Sequence, residues 1–297
     1  MTQSPVKTVS LALGSGGARG LAHIGVIKWL EENNVKITAI SGASMGALIG
    51  GIYAAGKLDE YADWVTALDK TDVIRYLDLS LGSKGLFKGE KIIAALKELV
   101  GDHDIESLST AFTAVATDIE NEREVWLSEG SLFDAIRASI ALPGIFTPFK
   151  HNNRILLDGG LTNPVPIAPT FRHSADLTIA VNLHGRPMKK QKEKTEPTDT
   201  EVDNTDYSKR IAKFFDDLLA NLTPSEEDGL GFFDTLFRSL DCMQDTIVRF
   251  KLAAYSPNII VEIPRNVCLS YEFYRAKELI QIGKNQAAEK LAHLVKS

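Results

Sequence analysis

A serine, a run of glycines and an aspartate, each placed where an apolar strand pattern gives way to a turn, are the residues of this chain best suited to chemistry. Gly42-Ala43-Ser44-Met45-Gly46 has the spacing of a nucleophile elbow, with an apolar run before it and a small-residue helix pattern after it. A serine on so sharp a strand-to-helix turn needs small neighbours two residues to either side, and Gly42 and Gly46 fill those places. The following helix would aim its free N–H groups and dipole at Ser44 and favour negative charge beside the hydroxyl. The plainer reading of the same five residues is a glycine-rich turn in which Ser44 only caps a helix. The run Gly14 to Gly20 follows the first apolar segment and exposes several backbone N–H groups, the donors that a tetrahedral acyl intermediate requires at its oxyanion; Gly16, Gly17, Ala18 and Arg19 are the candidates. A dinucleotide-binding loop is the competing reading. It is opposed by Ser15, which stands at the first glycine position of a G-x-G-x-x-G ending at Gly20, five residues before it, and by the absence of an acidic residue at the end of the second strand. The third element, Asp158-Gly159-Gly160, ends the strand pattern Arg154–Leu157. Alone it reads as a turn; beside the other two it makes Asp158 a candidate base, with Gly159 and Gly160 permitting close approach.

These residues need a sheet to hold them. Val9–Leu13, then a helix over Leu21–Asn33, then Ile37–Ser41, then a helix over Ala47–Ala55, form two strand-turn-helix units in succession and imply a parallel sheet. Helices are expected over Asp59–Asp69, Gly89–Val100 and Leu132–Ala141, and strands over Ala111–Thr117, Glu124–Leu127, Arg154–Leu157, Asp176–Leu183 and Asn258–Ile263. Residues 187–206 are rich in charge and nearly devoid of apolar side chains, which reads as a solvated, flexible insertion. After it, Ile211, Phe214, Phe215, Leu218, Leu219 and Leu222 share one helical face, and a second apolar helix is expected over roughly Leu230–Leu252. Together, residues 207–252 read as a helical cap over the site mouth, a lipid-docking surface or an oligomer interface. A helix over Tyr271–Val295 closes the chain.

The 297 residues, 44% hydrophobic and 24% charged, fit one α/β domain spanning 1–297 rather than a disordered or fibrous chain. With 33 basic and 39 acidic residues the net charge is −6, which opposes nucleic acid as a partner. Cys242 and Cys268 lie outside any C-x-x-C spacing, so they read as reduced residues and give no metal site. No apolar window is long enough to span a membrane and the start lacks a signal-peptide pattern, so a cytoplasmic location is expected, with peripheral contact at the inner membrane compatible with it.

The three motifs together resemble the bacterial patatin-like phospholipases, the family that also includes the catalytic region of neuropathy target esterase. The likeness runs from Leu13-Gly14-Ser15-Gly16-Gly17-Ala18-Arg19-Gly20 through Gly42–Gly46 and Arg137-Ala138-Ser139 to Asp158-Gly159-Gly160 and Asn163-Pro164-Val165-Pro166. Ser15 departs from it, standing where many members have glycine. The resemblance implies a three-layer α/β/α sandwich on a mainly parallel sheet. It also implies hydrolysis of lipid acyl esters by a Ser44–Asp158 dyad, with the Gly16–Arg19 backbone as oxyanion hole and no cofactor. A carboxylate near its ordinary value of about 3.9 is a weak base at neutral pH, so burial should raise Asp158. Two other readings stay open. One is a Ser-Asp-His esterase in the α/β-hydrolase order, for which His184 at a strand end is the best-placed histidine, ahead of His173 and His293. The other is a regulatory or scaffolding module on the same fold.

Overall fold

The computed structural model describes residues 8–76, 87–188 and 232–294. Its centre is an eight-stranded sheet: β1 (Thr8–Leu13), β2 (Lys36–Ala43), β3 (Ala111–Asp118), β4 (Arg123–Leu127), β5 (Phe149–His151), β6 (Arg154–Asp158), β7 (Leu177–Gly185) and β8 (Ile259–Pro264). The hydrogen-bonded path β5-β6-β3-β2-β1-β7-β8, with β4 also paired to β3, puts β1 inside the sheet, between β2 and β7. Pairing is parallel from β3 through β2, β1 and β7 to β8, and antiparallel where β4 and β6 join β3 and where β5 joins β6.

The central position of β1 explains its composition, because a strand covered on both faces is apolar almost throughout. Val9, Leu11 and Leu13 enter the larger core, shared with α1 (Ala22–Glu32) and α2 (Met45–Ala54). Ala12 faces the other way, into a smaller core with Ala180, Val165, Ile167 and Val248. Val248 belongs to a long helix, α7 (Phe232–Tyr255), so helices cover both faces and the three-layer α/β/α arrangement is present. On the larger-core side lie α3 (Leu58–Ala67), α5 (Glu90–Val100), α6 (Leu132–Ser139) and α8 (Ala276–Leu291); a short α4 (Lys70–Arg75) follows α3. Helices α1 and α8 cross with their backbones in contact: a Cβ on Gly25 would lie 1.9 Å from the Ile280 carbonyl, and one on Gly283 would lie 1.9 Å from that of Ala22. Among the described residues no helix is long and apolar enough to cross a membrane.

The charged stretch 187–206, apart from Pro187 and Met188, and the helical stripe of residues 211–222 lie outside the described residues. Of the expected 207–252 segment, the described part lies in α7, which ends three residues later than its pattern suggests.

The sheet edge that carries Asp158 is built in a way the sequence pattern leaves open. Asp158 does not come from a strand parallel to β2. At residues 114–115, β3 bonds both β2 and β4, and at 116–118 it bonds both β4 and β6. A strand has only two edges, so β2 and β6 lie on the same one, end to end. Ala43 pairs with Val115 and Asp158 with Ala116. The two strands therefore run toward each other along β3, and Ser44 and Asp158 follow or occupy their facing ends.

Candidate active site

Ser44 caps α2 with φ 54° and ψ −122°, a left-handed backbone that a non-glycine residue holds at a cost of about 1–3 kcal/mol. The turn is tight enough to dictate its neighbours. A Cβ on Gly42 would lie 2.3 Å from the Gly46 carbonyl carbon, and one on Gly46 would lie 2.0 Å from the Leu13 carbonyl oxygen. The strained turn is pinned from α6: the Ser44 N–H donates to Ser139 Oγ at 2.9 Å, and that hydroxyl donates to the Val115 carbonyl at 2.6 Å. Ser139 lay inside a motif noted in the sequence, but a role of this kind has no spacing signature.

Asp158 is buried, while Ser44 is half-buried. Its Oδ1 accepts the Gly160 N–H at 2.7 Å, which turns the chain sharply, and Oδ2 has no hydrogen-bond partner of good geometry. Burial raises the carboxyl to about 6, and the Ser44 hydroxyl and the Gly160 N–H pull it back toward ordinary values. The expected rise is thus present, with desolvation as its main cause. The two glycines that follow are required by packing. A Cβ on Gly159 would meet the Val115 carbonyl at 2.0 Å, and one on Gly160 would meet Ser15 Oγ at 2.5 Å and Gln244 Nε2 at 2.8 Å.

The glycine loop lies against both other motifs: Gly160 touches Ser15, as above, and a Cβ on Gly20 would lie 2.3 Å from that of Met45. Its backbone partners sort the four candidate donors. The Ala18 N–H donates to the Ser270 carbonyl at 2.9 Å and is therefore occupied. This corrects the expectation that Ala18 contributes a free donor; a loop crossing behind it, invisible from local sequence, has taken that group. The N–H groups of Gly14 and Ser15 are also taken, by the carbonyls of Val181 and Pro164. Gly16 and Gly17 have no such backbone partner among the described residues. Gly17 has φ 56°, and a Cβ there would meet the Ser270 carbonyl at 2.5 Å. The Arg19 side chain is buried and fully engaged: Nε donates to the Gly16 carbonyl at 3.1 Å, Nη1 to the Arg265 carbonyl at 3.1 Å, and Nη2 to Asp241 Oδ1 on α7 at 2.8 Å.

Two buried histidines border the loop. His23 Nε2 lies 2.8 Å from the Gly14 carbonyl, and burial lowers its pKa to about 4. His184 is lowered to about 4 as well, by burial and by the neighbouring Arg19 charge, against the pull of Asp241, Asp245 and the Ser15 carbonyl. Among the described residues no histidine hydrogen-bonds Ser44 or Asp158, and no cluster of histidine, cysteine and carboxylate residues could hold a metal ion. Asn163, in the Asn-Pro-Val-Pro motif, is fully buried.

On this α/β/α sheet the strained serine turn, the buried carboxylate and the glycine loop lie against one another, the parts that a serine acyl hydrolase requires. Residues 11–171 match the Patatin-like phospholipase family model, and the chain belongs to that family of carboxylic ester hydrolases. It is 37% identical to an uncharacterized NTE family protein of Mycobacterium tuberculosis, over 95% of this chain and 91% of that one. It is 32% identical to the lysophospholipase nte1 of Emericella nidulans, over 60% of this chain and 12% of that one. It is 33% identical to the patatin-like phospholipase domain-containing protein 6 of Mus musculus, over 59% of this chain and 13% of that one.

Proposed function

We propose that the protein hydrolyses lipid acyl esters, of the lysophospholipid or phospholipid kind, with Ser44 as nucleophile and Asp158 as its base. The observation that carries this reading is Asp158: a buried carboxylate, raised to about 6, with one oxygen fixed by Gly160 and the other without a good partner beside Ser44. Ser44 Oγ attacks the ester carbonyl as Asp158 Oδ2 takes its proton, and the carbonyl electrons move onto oxygen. The N–H groups of Gly16 and Gly17 and the N-terminus of α2 would meet that charge. Collapse expels the alcohol, which receives the proton from Asp158, and water then attacks the acyl-serine by the same route. A lipid-facing role for α7 is supported by Met243 and Phe250, which sit seven residues apart on one helix face and are 53% and 72% exposed.

The direct test is hydrolysis of p-nitrophenyl butyrate and of a lysophosphatidylcholine. The parent should turn over both, and Ser44→Ala should lower kcat/KM on each by about 10³-fold or more. Equal turnover by Ser44→Ala, in a folded protein, would remove the serine-hydrolase reading.

A further inference from the structure

We propose that His23 is a positioning residue for the reaction at Ser44, acting through the Gly14 carbonyl to hold the glycine loop in register with the serine turn. The proposal rests on the reading of Gly16 and Gly17 as oxyanion donors and adds to it the part that keeps them aimed.

His23 sits in the first turn of α1 with no exposed surface, its Nε2 2.8 Å from the Gly14 oxygen. Its other ring nitrogen is buried without a partner. An unpartnered buried nitrogen is destabilising, and an apolar side chain of similar size would avoid that cost. What an apolar side chain lacks is a donor for the Gly14 carbonyl. With its pKa near 4 the ring is neutral at physiological pH, so a neutral imidazole that meets a carbonyl at Nε2 carries its one proton there.

The peptide unit is planar and trans, so its C=O and N–H point in opposite senses, and fixing one fixes the other. The unit joining Gly14 and Ser15 is held at both ends, its carbonyl by His23 and its N–H by the Pro164 carbonyl at 2.8 Å. The Gly16 carbonyl also meets a side chain, accepting from Arg19 Nε. That donor turns the N–H of Gly17, in the same planar unit, the other way. His23 anchors the first unit of this series, and it does so where the loop touches the elbow, because a Cβ on Gly46 would lie 2.9 Å from the same Gly14 oxygen. Without the Nε2 donor that oxygen is left buried and unpaired, and the series loses its fixed starting plane.

The test compares His23→Gln, whose Nε2 reaches about as far as that of histidine, with His23→Phe and His23→Met, which fill the space without a donor. Parent and variants are first matched for thermal melting and circular dichroism. On p-nitrophenyl butyrate, His23→Phe and His23→Met should lose about 10- to 100-fold in kcat with KM changed by less than about threefold, and His23→Gln should recover most of the loss. Affinity for an aryl trifluoromethyl ketone, which forms a tetrahedral adduct on the serine, should weaken in step with kcat/KM. Parent-like kcat in a folded donor-free variant, a loss confined to KM, or a folded His23→Gln as poor as His23→Phe would each overturn the proposal. Ser44→Ala run alongside separates the two layers: if it keeps full activity, the serine reading falls, whereas if it is inactive and the donor-free variants are not impaired, only the role of His23 falls.

Discussion

At the scale of the residue, the proposed mechanism makes one carboxyl set the pH behaviour of the site. As the proposed base Asp158 works only when ionised, and burial raises its pKa to about 6. The expected kcat/KM profile therefore rises with pH through about 6 and is flat above it. A histidine in the general-base role would give a similar limb at its usual value, but His23 and His184 are both held near 4 and are already neutral across that window. His184→Gln should thus leave the midpoint of the profile in place, whatever it does to the plateau. A midpoint that shifts by about one unit or disappears in this variant would assign the titration to the histidine and restore the triad. The residue types of the site were legible in the sequence because serine between glycines, and aspartate before glycines, carry their own spacing. The occupied N–H of Ala18 and the support from Ser139 were not, since both depend on partners about 95 to 250 residues away in the chain.

At the scale of the element, the strands and helices with strong period were readable, and those defined by their neighbours were not. The two strand-turn-helix units at the start appear within one or two residues of their patterns. Strand β5 and helix α4 are three and six residues long, too short for periodicity to register. The direction of β6 was also hidden, because an apolar run before an aspartate reads the same in either orientation, and only pairing with β3 makes it antiparallel. The contact of α1 with α8 is another tertiary fact, carried by Gly25 and Gly283, and it yields a prediction. An added methyl at either position meets backbone 1.9 Å away, which no rotamer change can relieve. Gly25→Ala and Gly283→Ala should each destabilise the fold by at least ~2 kcal/mol in urea unfolding. Because either methyl forces the same two helices apart, the double variant should cost clearly less than the sum of the singles. Full additivity would mean that the two glycines relieve separate clashes and that the crossing is not one shared contact.

At the scale of the whole molecule, the carboxyl proposed as the base makes the fold less stable. In the unfolded chain Asp158 ionises at its ordinary value of about 3.9, whereas in the folded protein burial delays ionisation to about 6. Below the lower value the group is protonated in both states and has no pH-linked effect. Between the two values the unfolded chain releases a proton that the folded protein retains, so stability falls as pH rises, and above about 6 the whole loss is in place. A displacement of about two units corresponds to ~3 kcal/mol, a large part of the 5–15 kcal/mol by which domains are typically stable (about that range). Asp158→Asn removes the charge while keeping an oxygen for the Gly160 N–H and offering an amide donor to the Ser44 hydroxyl. It should therefore melt several degrees higher than the parent at about pH 8, and the gain should shrink toward zero near about pH 3, while esterase activity is lost at both. That pattern, stability gained only where activity is lost through the same ionisation, is what a functional carboxylate held in an apolar site produces. A variant equally stable with the parent at every pH would show that Asp158 is solvated in the folded protein. Its candidacy as the base would then lose the raised pKa that supports it.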